Sequence, residues 1–199
     1  MTRIVAGSAR GRHLAVPAKG TRPTSDRVRE AVFSSLEAHL RDDGLTWADI
    51  HVIDAYAGTG ALGLEALSRG AAGVVLIERS RPAAEVIRRN IDAVGLPGAQ
   101  VAVGAVSTIA RQRGPQPPAW LMLLDPPYDV SAALVARELA DFAAAGWLTN
   151  EALAVVERPA ADASSPFPDG WHVMAQRRYG DTAVWYGRRV HAAEEDRDA

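Results

Sequence analysis

From Ile50 onward, short apolar segments alternate with helical patterns, and this alternation constrains the fold more than any other feature of the chain. Candidate strands begin at His51, Gly73, Ala99, Ala119 and Ala152. Stretches with helical periodicity lie between most of them. Such alternation predicts an α/β fold, with a mostly parallel sheet covered by helices on both faces.

The two ends of the chain each predict a β-hairpin. Two apolar stretches, residues 171–180 and 181–189, meet at the turn-forming pair Gly180-Asp181 and predict an antiparallel hairpin at the sheet edge. With these two strands the predicted sheet has seven. Residues 3–17 predict a shorter hairpin, and an amphipathic helix follows it. We expect an N-terminal extension over residues 1–44, a main domain over 45–190 and a disordered acidic tail over 191–199.

Composition excludes several classes of protein. With 199 residues, 48% hydrophobic and 23% charged, the chain resembles an ordinary soluble domain. No apolar run is long enough to span a membrane and the N-terminus has no signal core, so we expect a cytoplasmic protein. The absence of cysteine excludes disulfides, thiolate metal sites and a cysteine nucleophile. The five histidines show no metal-ligand spacing, so we expect no bound metal.

Positive charge is concentrated at the N-terminus, although the net charge is only −2. Residues 1–29 contain one acidic residue, Asp26, and the basic residues Arg3, Arg10, Arg12, Lys19, Arg22, Arg27 and Arg29. A basic segment on a near-neutral body indicates an anionic partner such as nucleic acid. A solvated basic surface is the alternative.

A glycine-rich stretch follows the first strand of the alternating region. Gly58-Thr59-Gly60-Ala61-Leu62-Gly63 has the G-x-G-x-x-G spacing, and Glu78 ends the next strand, as expected for a carboxylate that binds a ribose. The pattern alone does not separate NAD from other adenosine cofactors. Asp54, just before the glycines, would repel a pyrophosphate. It suits S-adenosylmethionine, which carries an ammonium and a sulfonium but no phosphate.

A second motif ends the strand at Trp120–Leu124. The residues that follow are Asp125-Pro126-Pro127-Tyr128, and prolines cannot continue a central strand. The Asp125 carboxylate and the Pro126 carbonyl could accept both N–H bonds of an exocyclic base amine and stabilise charge that develops during its attack on a methyl group. Tyr128 offers a flat face for stacking a flipped-out base.

These motifs resemble a known family. Residues 54–71 together with Asp125–Tyr128 resemble a Rossmann-like class I S-adenosylmethionine-dependent methyltransferase that acts on an exocyclic amine. Residues 3–17 and the stretch RPTSDRVREAVFSSL at residues 22–36 are similar to the RsmD family of bacterial 16S ribosomal RNA guanine-N2 methyltransferases. The similarity runs from Arg3 to about Arg188.

The resemblance implies a substrate and a set of site residues. The substrate would be the N2 amine of a guanine in 16S rRNA, within an at least partly assembled small ribosomal subunit, and the enzyme would be a monomer. The target amine would lie among Asp125, Pro126 and Tyr128. Cofactor contacts would come from Thr24, Asp54, Tyr56, Gly58, Gly60, Glu78, Arg79, Gly104 and Ala105. RNA contacts would come from Arg3, Arg10, Arg12, Lys19, Arg22 and Arg27.

One position departs from the family pattern. Where relatives often place Asp or Asn before Ala to contact the adenine amino group, this chain has Gly104-Ala105. A backbone carbonyl or another residue would have to make that contact.

Other functions remain open at this point. An adenine-N6 methyltransferase acting on DNA or RNA would use the same Asp-Pro-Pro-Tyr motif, but the small chain has no visible domain for reading DNA. Protein-glutamine methylation is disfavoured because those enzymes typically carry Asn where Asp125 stands. A nicotinamide oxidoreductase would need a Tyr-x-x-x-Lys motif or a substrate domain, and Lys19 is the only lysine. A non-catalytic RNA-binding module is the remaining alternative.

Overall fold

The computed structural model describes residues 2–17 and 26–190, and the chain divides into two compact units with the boundary after Val106. The helices are α1 (Asp26–Asp42), α2 (Ala61–Ser68), α3 (Arg81–Val94), α4 (Val106–Ile109) and α5 (Ala132–Ala144). The strands are β1 (Thr2–Arg3), β2 (His13–Leu14), β3 (His51–Ala55), β4 (Gly73–Glu78), β5 (Ala99–Val103), β6 (Ala119–Leu124), β7 (Leu148–Pro159), β8 (Trp171–Tyr179) and β9 (Thr182–Arg189).

The first unit contains three parallel strands in the order β5-β4-β3 and the short antiparallel pair β1–β2. Strand β3 pairs with β4 as far as Ala55 and Ile77, and β4 pairs with β5 as far as Glu78 and Val103. The carboxyl ends of the three strands therefore meet at one edge. In open α/β sheets this is the edge at which ligands bind.

The amphipathic helix predicted after the N-terminal hairpin is α1, and its apolar face is buried. Val32, Leu36 and Leu40 of α1 are all buried. The Ser80 hydroxyl begins α3 by accepting a hydrogen bond of 3.4 Å from the Ala83 N–H. Pro82 is the second residue of this helix, where its missing N–H leaves no hydrogen bond unmade.

The second unit contains four strands in the order β6-β7-β9-β8. Strand β6 runs parallel to β7, and β9 is antiparallel to both β7 and β8, as the predicted C-terminal hairpin requires. All six residues of β6 are buried. Helix α5 begins at Ser131, whose hydroxyl accepts a hydrogen bond of 3.2 Å from the Leu134 N–H.

Two features differ in detail from the sequence prediction. The strands of the N-terminal hairpin are only two residues long, so side-chain contacts must hold most of this segment in place. A 3-10 helix at Trp47–Asp49 precedes β3 and was not predicted.

Within residues 2–17 and 26–190, no helix is both long and apolar enough to cross a membrane.

Candidate active site

The loop between β3 and α2, residues 56–60, has a backbone that few side chains tolerate, and we call it the glycine loop. Tyr56, Gly58 and Gly60 have φ angles of 66°, 55° and 77°. Tyr56 is the one non-glycine residue with a positive φ in the described part of the chain. A non-glycine residue held in this region costs about 1–3 kcal/mol, and such strain is concentrated at binding sites.

Close packing beneath the glycine loop and the first turn of α2 explains the glycines at positions 60 and 63. A Cβ added to Gly60 would lie 2.9 Å from a methyl carbon of Leu76 on β4. A Cβ added to Gly63, in the first turn of α2, would lie 2.8 Å from a methyl carbon of Val74. The loop and the start of α2 therefore sit directly against the strands, as in sites where the chain turns sharply around an adenosine ligand.

Asp54 lies at the end of β3, with 1% of its surface exposed. Its carboxylate accepts a hydrogen bond of 2.8 Å from the Gly63 N–H, so it holds the first turn of α2. Burial raises the pKa of the Asp54 carboxyl to about 7, and the charge of Glu78 adds to this increase, while the Gly63 hydrogen bond opposes it. Asp54 thus fixes the first turn of α2, which follows the glycine loop, against the end of β3.

Glu78 ends β4, and two backbone groups orient its carboxylate. One oxygen accepts from the Gly58 N–H at 3.0 Å, and the other accepts from the Ser80 N–H at 2.7 Å. Each carboxylate oxygen can accept a further hydrogen bond. The Glu78 carboxylate is therefore fixed beside the glycine loop and able to accept hydroxyl donors such as those of a ribose.

The other candidate cofactor residues are distributed around this edge. The Gly104 N–H donates to the Glu78 main-chain oxygen at 3.0 Å, which brings Gly104 beside the end of β4. Arg79 and Ala105 are exposed. Thr24 lies outside the described residues.

The chemistry of the first unit fits S-adenosylmethionine. A carboxylate stands ready for the ribose, and the glycine loop itself, Tyr-Ala-Gly-Thr-Gly, carries no cationic side chain for a phosphate. The Asp54 carboxyl lies buried beneath the loop with its pKa raised to about 7, so near neutral pH it supplies only part of the repulsion of a pyrophosphate that the sequence predicted.

The Asp-Pro-Pro-Tyr motif lies in the second unit, directly after β6. Asp125 is half-buried and Pro126 is buried, whereas 52% of Tyr128 is exposed. The Val130 N–H donates to the Pro127 carbonyl at 3.0 Å and so closes a turn without using the carbonyl of Pro126. The motif combines a carboxylate, a carbonyl and an accessible aromatic ring, as an amine-binding site requires.

The predicted RNA-binding residues have different environments. Arg10, Arg12 and Arg27 are exposed. The Arg12 guanidinium also donates to the Ala93 carbonyl at 2.9 Å, and Arg3 forms an ion pair of 3.2 Å with Asp26. Lys19 and Arg22 lie outside the described residues.

Sequence reasoning missed the buried polar side chains that hold residues 2–17, which we call the N-terminal segment. Glu65 accepts from the Val5 and Ala6 N–H groups at 2.7 and 2.9 Å. Ser68 donates to the Ala6 carbonyl at 2.6 Å, and Asn90 also holds this segment. The available signal was a polar residue on the apolar face of a helix, as for Asn90 three residues after Ile87.

Comparisons with known proteins match nearly the whole chain. The family model described as conserved hypothetical protein 95 matches residues 2–188. Ribosomal RNA small subunit methyltransferase D from Escherichia coli is 34% identical over 98% of this chain and 94% of its own length. The protein of the same name from Haemophilus influenzae is 32% identical over 89% of each chain.

Solved structures agree with these matches. The E. coli methyltransferase yhhF superposes with a TM-score of 0.81 at 32% identity, covering 94% of this chain and 97% of that one. A methylase from H. influenzae gives a TM-score of 0.76 at 27% identity, covering 95% and 98% of the two chains.

Proposed function

The chain belongs to the RsmD family, described as conserved hypothetical protein 95, and on that premise we propose that it methylates the N2 amine of a guanine in 16S ribosomal RNA. The family, the class I methyltransferase fold and S-adenosylmethionine as cofactor are as the sequence predicted. The names of the relatives support ribosomal RNA of the small subunit as the substrate. The choice of guanine N2 depends on the family resemblance of residues 22–36.

The observation that carries the proposal is the Asp125–Tyr128 motif at the end of a fully buried strand. S-adenosylmethionine, when bound, supplies the methyl group. The Asp125 carboxylate and the Pro126 carbonyl accept the two N–H bonds of the target amine, which localises its lone pair for attack and stabilises the charge that develops on nitrogen. Asp125 is half-buried and directly follows the last residue of β6.

Tyr128 holds the base that carries the amine. About half of this residue is accessible, so one ring face can stack on a base extruded from the RNA, which is worth about 1–3 kcal/mol. The methylated amine loses its proton readily, and no residue is assigned as a general base.

The remaining residues divide between the cofactor and the RNA. Glu78 would accept the ribose hydroxyls, with the glycine loop, Asp54, Arg79, Gly104, Ala105 and Thr24 around the rest of the cofactor. Arg3, Arg10, Arg12, Lys19, Arg22 and Arg27 would contact RNA phosphates. In this proposal residues 1–44 serve RNA binding and residues 45–190 catalysis, in a cytoplasmic monomer that acts on a partly assembled small subunit.

The test is methyl transfer from labelled S-adenosylmethionine to small ribosomal subunits from a strain that lacks the matching methyltransferase. Naked rRNA and DNA serve as comparison substrates, and the product nucleoside is identified. N2-methylguanosine formed from subunits is the expected result. N6-methyladenine would move the enzyme to the alternative class, and no transfer to any substrate would refute the proposal.

Two variants connect the transfer to the motif. Asp125→Ala should lower turnover by about 10²–10³, as loss of one transition-state acceptor typically does, while affinity for S-adenosylhomocysteine stays unchanged. Asp129→Ala removes an exposed carboxylate next to the motif and should leave turnover unchanged. Equal loss in both variants would refute the role given to Asp125.

A further inference from the structure

One buried side chain contacts both the N-terminal segment and the glycine loop. Asn90, on α3, has 1% of its surface exposed. Its amide nitrogen donates to the Ala15 carbonyl at 3.0 Å and to the Thr59 carbonyl at 2.8 Å. Its amide oxygen accepts from the Ala15 N–H at 2.8 Å. Both amide N–H bonds and the amide oxygen are thus in use.

The contact at Thr59 lies at a sensitive point of the glycine loop. Thr59 stands between Gly58 and Gly60, both of which have positive φ angles. A hydrogen bond to the carbonyl between them fixes the peptide orientation on which both turns depend. Without Asn90, this buried carbonyl would lose its partner, at a cost similar to that of any unsatisfied buried polar group.

The contact at Ala15 has the form of strand pairing. Asn90 both donates to and accepts from the backbone of Ala15, so its side-chain amide replaces a neighbouring peptide group. Ala15 directly follows β2, whose strand of two residues gives little order of its own.

Two other buried side chains hold the N-terminal segment without contacting the glycine loop in their hydrogen bonds. Ser68 donates to the Ala6 carbonyl at 2.6 Å and accepts from the Ala9 N–H at 2.9 Å. Glu65 accepts from Val5 and Ala6. Ser68 is therefore a matched control, since it is equally buried and also makes hydrogen bonds in both directions to the segment.

We propose that Asn90 is a positioning residue that couples the N-terminal segment to the glycine loop, so that ligand binding at the loop orders the segment and order in the segment strengthens ligand binding. The proposed function supplies only the choice of ligand. Because Arg10 and Arg12 belong to the same segment, RNA held there would raise cofactor affinity, and cofactor would raise RNA affinity by the same factor.

The first test is a calorimetric titration with S-adenosylhomocysteine, the stable product of the cofactor. Asn90→Ala should weaken binding about tenfold, since one buried hydrogen bond at the loop is lost. Ser68→Ala should bind within about twofold of the wild type, because Ser68 holds Ala6 and Ala9, and the Asn90 hydrogen bonds that connect Ala15 to Thr59 remain in this variant. Equal affinity of Asn90→Ala and wild type would overturn the proposal.

The second test measures the coupling and does not depend on activity. In hydrogen–deuterium exchange, S-adenosylhomocysteine should slow exchange in peptides covering residues 9–17 of the wild type and of Ser68→Ala, but not of Asn90→Ala. The wild-type measurement stands alone if Asn90→Ala does not fold, and an unchanged wild-type segment would overturn the coupling. No binding of S-adenosylhomocysteine by the wild type would overturn the proposed function together with the coupling.

Discussion

Asp54→Asn should make the free energy of unfolding less sensitive to alkaline pH. The Asp54 carboxyl is 1% exposed, and its pKa is raised from 3.8 to about 7, chiefly by burial. Asn keeps an oxygen that can accept the Gly63 N–H but cannot ionise. Asp54→Asn therefore removes the titration while retaining the hydrogen bond at 2.8 Å.

The sign of the effect follows from proton binding. Between pH values of about 4 and 7, the folded state keeps the Asp54 proton and the unfolded state has lost it, so the free energy of unfolding falls as pH rises. Below this window the contribution of Asp54 to stability is complete, and above it the contribution is lost. A difference of about 3 pKa units corresponds to about 4 kcal/mol across the whole window.

The assay is urea unfolding of wild type and Asp54→Asn at about pH 5 and about pH 8.5. The wild type loses stability between about pH 5 and the folded pKa of about 7, an interval of about 2 pH units. The free energy of unfolding of the variant relative to wild type should therefore increase by about 3 kcal/mol from the lower to the higher pH. Other titrating groups contribute to both proteins and cancel in this comparison.

Asp49→Asn is the control. Asp49 is exposed, and its hydrogen bonds with Thr46 lower the pKa of its carboxyl. Its contribution is complete above the unfolded pKa and is lost only in stronger acid, so its effect should be the same at both conditions. If Asp54→Asn also gives the same effect at both conditions, the Asp54 carboxyl is not held in its neutral form by burial, and the reasoning fails.

Three further predictions concern the N-terminal segment. Gly7→Ala should severely lower the free energy of unfolding, because the added Cβ would lie 1.9 Å from the Ser68 carbonyl oxygen. Gly11 has a similar φ angle but no atom within 4 Å of an added Cβ, so Gly11→Ala should lower the free energy of unfolding by only about 1 kcal/mol. Glu65→Leu should lower the free energy of unfolding by about 3–5 kcal/mol, because it removes the fully buried acceptor of two backbone N–H groups and one of the two carboxylates paired with half-buried Arg69. Glu85→Ala, at an exposed position, should change it by no more than about 0.5 kcal/mol. Replacing Arg10 and Arg12 with Ala should reduce the slope of log affinity for 16S rRNA against log salt concentration by about 0.7–0.9 for each lost phosphate contact. Arg137→Ala, at an exposed position on α5, is the control, and an equal reduction in this variant would contradict the assignment of Arg10 and Arg12 to RNA binding.

The elements of this fold could be predicted because their signals are local. The apolar run of β6 and the spacing of Val32, Leu36 and Leu40 in α1 are readable within a few residues of chain. Ser80 and Ser131 mark helix starts for the same reason.

The support of the candidate site could not be predicted in this way. Asn90 meets Ala15 across 75 residues of sequence, and Glu65 meets Val5 across 60. No local pattern specifies such pairs. The left-handed backbone of Tyr56 also depends on its surroundings, since an aromatic residue does not favour it. The sequence predicted that Asp54 would lie at the site, but not that it would be bound to Gly63.

The anchoring of the N-terminal segment also sets an order of events during synthesis. Its partners Glu65, Ser68 and Asn90 leave the ribosome after it, with Asn90 following Ala15 by 75 residues. At bacterial translation rates of about 5–20 residues per second, that delay is about 4–15 seconds. An isolated pair of two-residue strands is not stable in water. The N-terminal segment is therefore made before the residues that hold it, and it is among the last parts of its unit to fold.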